Sequence, residues 1–108
     1  MARVLIVEDQ FLHQAFLASV LKERGHSPCA AAHTAEAAIE IAKAERPDVA
    51  IIDLKLANEG DGIEVAKEIS AAHPCALIFL TGYYSVETTA KMNALGPVAI
   101  IEIGRAHV

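Results

Sequence analysis

Apolar residues fall along the chain in short unbroken blocks, separated by stretches with helical spacing. Val4-Leu5-Ile6-Val7, Val49-Ala50-Ile51-Ile52, Ala76-Leu77-Ile78-Phe79-Leu80 and Val98-Ala99-Ile100-Ile101-Glu102-Ile103 show no polar alternation. Such blocks are the mark of strands buried on both faces, and therefore of a parallel sheet. Residues 27–32 form a weaker run, and the breaker pairs Pro47-Asp48 and Gly96-Pro97 precede the second and fourth blocks.

The intervening stretches predict helices. Over residues 11–24 the apolar face is Leu12, Ala15, Phe16 and Val20, and Gly25 supplies the stop. Thr34 is the N-cap of a second helix with the stripe Ala35, Ala38, Ile39 and Ala42, ended by Pro47. Residues 62–73 carry Ile63, Ala66 and Ile69 ahead of Pro74, and Ser85 caps a fourth helix that runs through Leu95 to Gly96. Strand and helix alternate throughout. Right-handed crossovers then predict an α/β fold, a doubly wound parallel sheet with helices on both faces, as one domain over residues 1–108. Ligands of such sheets bind outside the carboxyl ends of the strands, near the topological switch point.

Composition narrows the function classes. The chain has 108 residues, too few for two cores, and 54% hydrophobic against 21% charged residues with a mean hydropathy of +0.36, so it buries a core. Nine Lys and Arg stand against 14 Asp and Glu, for a net charge of −5 and a pI near 5.4, with no basic run to track a phosphate backbone. That balance argues against direct nucleic-acid binding. The longest uncharged apolar stretches, such as residues 75–81, fall short of the ~20 residues of a membrane span. The N-terminus enters a strand without a signal pattern, which predicts a cytoplasmic protein. Cys29 and Cys75 are far apart without a CxxC companion and read as small buried hydrophobes. His13, His26, His33, His73 and His107 show no metal-site spacing, and each reads as solvated or structural.

The strand ends carry the chemistry. Glu8-Asp9 follows the first block, Asp53 the second of the four, and Thr81-Gly82 the third. Singly each is ordinary, an Asp after a strand being a common helix cap. Together three carboxylates at one sheet edge repel one another unless a cation or a proton relieves them. Carboxylates, a backbone carbonyl and waters make a Mg²⁺ site of the kind that serves a phosphoryl group. There Mg²⁺ neutralises phosphoryl charge, the Thr81 hydroxyl donates to another oxygen, and an in-line carboxylate is a nucleophile that forms an acyl phosphate.

The segments Val4-Leu5-Ile6-Val7-Glu8-Asp9, Pro47-Asp48-Val49-Ala50-Ile51-Ile52-Asp53-Leu54, Asp61-Gly62-Ile63-Glu64 and Phe79-Leu80-Thr81-Gly82 resemble the receiver domain of two-component response regulators, of the stand-alone CheY-like type. The resemblance implies a flavodoxin-like sheet of five parallel strands in order 2-1-3-4-5. It implies Asp53 as phosphoacceptor, Asp9 as a direct Mg²⁺ ligand, Glu8 as a supporting acid, Lys55 as a main-chain carbonyl ligand and Thr81 as the switch hydroxyl. The phosphoryl donor is then a sensor histidine kinase or a histidine phosphotransfer protein, and output runs through contacts with a downstream protein target. Enzymatic chemistry is limited to Mg²⁺-dependent self-phosphorylation and autodephosphorylation.

Several positions depart from the family pattern. The Lys that ends the fifth strand is replaced by Ile103, with Gly104 in place of the following Pro, which removes a charge-assisted contact worth ~1.5–3 kcal/mol. Arg105 offers a substitute cation, against the plainer reading of an exposed tail residue. Ile100 stands where an aromatic switch residue is common, leaving Tyr83 or Tyr84 as a gate or as packed loop aromatics. The loop over residues 54–62 is one residue longer than usual, lacks Pro and is predicted to be mobile. The family's fifth helix packs beside the first, whereas this sequence stops at Val108, so the last helix is read as missing or truncated. The first helix, apolar also at Phe11, Leu17 and Leu21, then leaves an uncovered face that predicts a homodimer, a swapped partner element or a shortened chain. The alternative function is a pseudo-receiver, a phosphorylation-independent binding or dimerisation module. An aspartyl-phosphate phosphohydrolase needs a second Asp two residues after a first-strand nucleophile, which Glu8-Asp9-Gln10-Phe11 lacks.

Overall fold

Each unbroken apolar block contains a strand. The computed structural model describes residues 1–54, 59–82 and 86–102. Along these the elements are β1 (Arg3–Val7), α1 (Phe11–Glu23), β2 (Ser27–Pro28), α2 (Ala35–Glu45), β3 (Val49–Leu54), α3 (Glu59–Ala72), β4 (Ala76–Thr81), α4 (Val86–Asn93) and β5 (Ala99–Glu102). All strand pairs are parallel, in the predicted order β2-β1-β3-β4-β5. The reversal of direction falls between β1 and β3, so the switch-point crevice opens beyond Val7 and Ile52, which lie opposite each other.

The core lies on the side of α2, α3 and α4. Leu5, Ala50, Ile52, Leu77 and Phe79 pack there against Ala38, Ala42, Ile63, Ala66, Ile69 and Met92. The predicted stripes of α2 and α3 are thus the packed ones, except Ala35, which is exposed at the helix start. Thr34 caps α2 as predicted, its Oγ1 accepting the Ala37 N–H at 3.1 Å. Gly25 and Gly96 follow the ends of α1 and α4 with positive φ of 85° and 65°, a conformation that favours glycine, although α4 ends at Asn93, two residues short of Leu95. Burial pushes the thiols of Cys29 and Cys75 above their ordinary value, with Glu45 adding to the effect at Cys29, so both are protonated and unreactive near neutrality.

Four expectations change. In α1 most of the predicted face is not packed: Leu12 is 78% and Phe16 67% exposed and Ala15 is exposed too, while Val20 is half-buried along with Leu17, Ala18 and Leu21, and Gln14 is buried. The helix is apolar nearly all round, so its spacing alone does not choose a side. The second strand shrinks from residues 27–32 to Ser27–Pro28, followed by a bond from the Cys29 N–H to the Val4 carbonyl at 2.9 Å and a single bridge between Val7 and Ala32; Pro28, which has no N–H, sits on the edge strand, where its missing donor costs no bond to β1. Helix α3 begins at Glu59, so part of the expected mobile loop is helical, while residues 55–58 lie outside the described ones. Finally, the strands are not equally covered on both faces. On the α1 side Ile51, Ile78 and Leu80 are only half-buried and Ile101 is exposed, since α1 packs on β1 and β2 at one end of the sheet. Ser85, the expected cap of α4, is outside the described residues.

Candidate functional site

The carboxyl edge of β1 and β3 opens into a cleft of about 330 Å³. Its floor is Val7 and Ile52, its acidic wall Glu8, Asp9 and Asp53, and its rim the start of α2 at Thr34 and one face of α3 at Glu64 and Glu68. The two α3 acids are one helical turn apart and point the same way. Five carboxylates therefore line one small space, which strongly favours a cation.

Glu8 is the anchor. Its side chain is fully buried, and Oε2 accepts the Gln10 N–H at 2.7 Å, which fixes the carboxylate where the chain turns from β1 into α1. The backbone on either side is held too: Glu8 N–H donates to the Ala32 carbonyl at 3.2 Å, and the Glu8 carbonyl lies 3.1 Å from His33 Nδ1. His33 in turn stacks obliquely on Phe11, with ring centroids 5.7 Å apart. A buried carboxylate fixed this firmly is set to face a cation or a bound anion's counter-ion rather than to wander.

Asp53 leaves the end of β3 half-buried, opposite Leu80 of β4, and its carboxylate meets that of Glu8. The third member of the group is His13, from the first turn of α1. An imidazole nitrogen and one carboxylate oxygen each from Glu8 and Asp53 lie within 4.8 Å of one another, and His13 Nδ1 is 3.6 Å from Glu8 Oε1. Asp9, expected beside them as the direct ligand, lines the same cleft but is exposed and is not in this converging set. His13 is in that set instead, and it is solvated as expected, its side chain 62% exposed. Its signal in the sequence was only its position five residues after Glu8, where the first helical turn folds back over the strand end.

Thr81 ends β4 with 1% exposure, opposite Leu54 and Glu102, one position beyond the pair that holds Asp53. It is buried at the same sheet edge but is not one of the residues lining the cleft. Lys55, Tyr83, Tyr84, Ile103, Gly104 and Arg105 lie outside the described residues. Ile100 is half-buried against the core, as an apolar strand residue.

Sequence comparison decides the family. The family model described as "Response regulator receiver domain" matches residues 4–102, nearly the whole chain. The chain belongs to the response regulator receiver family. It is 31% identical over 99 residues to the transcriptional regulatory protein PdtaR of Mycobacterium tuberculosis, covering 92% of this chain and 48% of that protein. It is 30% identical over 95 residues to sporulation initiation phosphotransferase F of Bacillus subtilis, covering 87% of this chain and 75% of that one. The chain thus spans about half the length of PdtaR. Among solved structures it is similar to the signal receiver domain of a modulated diguanylate cyclase from Desulfovibrio desulfuricans, with 31% identity and a TM-score of 0.85 over 98% of this chain and 84% of that one. The CheY-like receiver from Methanospirillum hungatei superimposes with the same TM-score of 0.85 at 25% identity, over 98% of this chain and 84% of its own. Response regulators belong to two-component systems, and receivers bind Mg²⁺ at an acidic site; Glu8 and Asp53 supply hard oxygen donors that fit such an ion. No described helix is long and apolar enough to cross a membrane.

Proposed function

We propose that this receiver is a phosphoacceptor, taking a phosphoryl group on Asp53 from a sensor histidine kinase or a histidine phosphotransfer protein and signalling to a downstream protein target. The observation that carries it is the half-buried Asp53 carboxylate at the carboxyl end of β3, inside an acidic cleft and beside the fixed Glu8. A carboxylate so placed is open to solvent on one side and screened from bulk water on the other, as a nucleophile requires.

In the proposed transfer an Asp53 oxygen attacks phosphorus while the bond to the donor's imidazole nitrogen breaks, and the electron pair returns to the ring. Glu8, Asp9 and Asp53, with the Lys55 main-chain carbonyl, would hold Mg²⁺, and Thr81 would donate its hydroxyl to a phosphoryl oxygen. Bound Mg²⁺ supplies neutralising charge at the phosphoryl oxygens. Chemistry ends on the chain itself, so turnover is confined to self-phosphorylation and hydrolysis of the acyl phosphate. Support for a homodimer comes from the exposed apolar residues Phe11, Leu12 and Phe16 of α1 and Ile101 of β5. A cytoplasmic location accords with the absence of an apolar spanning helix among the described residues.

The test is Mg²⁺-dependent incorporation of phosphate from acetyl phosphate, alongside binding of beryllofluoride. The parent chain should gain one phosphoryl group that hydroxylamine removes, and Asp53→Asn should gain none. A parent that neither labels nor binds beryllofluoride identifies a pseudo-receiver instead.

A further inference from the structure

Mg²⁺ demands oxygen ligands and near-octahedral geometry, whereas imidazole is a ligand of Zn²⁺, Co²⁺, Ni²⁺ and their neighbours. The donor set that converges in this cleft contains both kinds. Glu8 and Asp53 contribute carboxylate oxygens and His13 an imidazole nitrogen, all within 4.8 Å. Ligand bonds of ~2.0–2.2 Å put adjacent donors roughly 3–3.5 Å apart around a transition ion. The 3.6 Å separation of His13 Nδ1 from Glu8 Oε1 already approaches that spacing. The remaining contraction falls to His13, whose side chain is 62% exposed and free to turn, while the buried Glu8 stays fixed by the Gln10 amide. A neutral imidazole between two carboxylates also balances a divalent charge without adding to it.

We infer that His13 is a further protein ligand at this site, joining Glu8 and Asp53 in a nitrogen, two-carboxylate set that prefers a first-row transition cation over Mg²⁺. The inference rests on the acidic cleft being a cation site, as proposed above, and adds the identity of the ion. Such an ion would occupy the position beside Asp53 at concentrations far below those at which Mg²⁺ competes, and so set whether the acceptor carboxylate is held for transfer. The selectivity is supplied by one residue of the first turn of α1.

Titration calorimetry of the parent chain, His13→Ala and Asp53→Asn with Co²⁺ and with Mg²⁺ tests this, together with the proton NMR spectrum of the Co²⁺ form. His13→Ala should lose on the order of tenfold or more in Co²⁺ affinity with little change for Mg²⁺, and a paramagnetically shifted imidazole N–H resonance present in the parent should vanish. Asp53→Asn should weaken both ions. Co²⁺ binding that is indifferent to His13→Ala, while Asp53→Asn still abolishes Mg²⁺ binding, overturns the His13 ligand and leaves the cation site standing. If Asp53→Asn changes neither ion, the cation site and the His13 ligand fail together. His13 is exposed, so its variant folds, which a circular dichroism spectrum matching the parent verifies.

Discussion

Single atoms decide how closely the site's supports approach one another, and Gly62 shows it. A Cβ built at Gly62 would lie 2.1 Å from Leu54 Cδ2, 3.5 Å from its Cγ and 3.7 Å from Ile52 Cγ2. Its glycine therefore serves close packing of α3 on the end of β3, one residue past Asp53, and not a turn. Gly62→Ala gains roughly 1 kcal/mol of helix propensity but overpacks a buried Leu54 at a cost of about 1–3 kcal/mol. Net destabilisation of up to about 2 kcal/mol should appear in urea unfolding. Leu54→Ala should cost less on this background than in the parent, so that the two changes are non-additive by more than about 0.5 kcal/mol. Additive costs would mean that the helix shifts bodily away from the strand. Glu8, Asp9 and Asp53 were legible because carboxylates at strand ends in this topology share an edge. His13 was not, because its approach depends on the angle at which α1 leaves Gln10, the extended residue before the helix.

Among the elements, the strands were legible and the facing of α1 was not, for one physical reason. A strand buried on at least one face needs only an apolar run, whereas a helix must choose an azimuth. Phe11, Leu12 and Phe16 compete with Leu17 and Leu21 for the sheet, and tertiary packing on β1 and β2 settles the choice in favour of the second pair. This ordering has consequences for stability. Leu12→Gln and Phe16→Gln, measured where the chain is dilute enough to be monomeric, should each lie within about 0.5 kcal/mol of the parent in denaturant unfolding. Phe79→Ala, at a fully buried strand position, should cost about 3–5 kcal/mol. At tens of micromolar the parent should sediment as a dimer and Phe16→Gln as a weaker one. A parent that sediments as a clean monomer there would overturn self-association through this face. A cost above 2 kcal/mol for Phe16→Gln would restore the predicted stripe.

For the molecule as a whole, the acid balance and the fold act on the same place. The net charge of −5 is not spread evenly: among the described residues, five acidic side chains line one cleft. Folding collects them there, so the native state carries a repulsion that the unfolded chain relieves by separating them. A cation bound only by the native state must then raise stability by mass action, by about 2.7 kcal/mol at a free concentration one hundred times its Kd. For a chain of this length about 1 kcal/mol corresponds to roughly 4–8 °C in the unfolding midpoint. Thermal unfolding should therefore move upward by on the order of 10 °C between metal-free buffer and saturating Mg²⁺. Sodium chloride of equal ionic strength should move it much less, because screening acts weakly on the buried Glu8. In Asp53→Asn the Mg²⁺ shift should collapse toward the sodium chloride value. If the full shift survives in that variant, the ion is bound away from the β1 and β3 edge, and the crowding of carboxylates in the cleft is relieved by contacts within the chain alone.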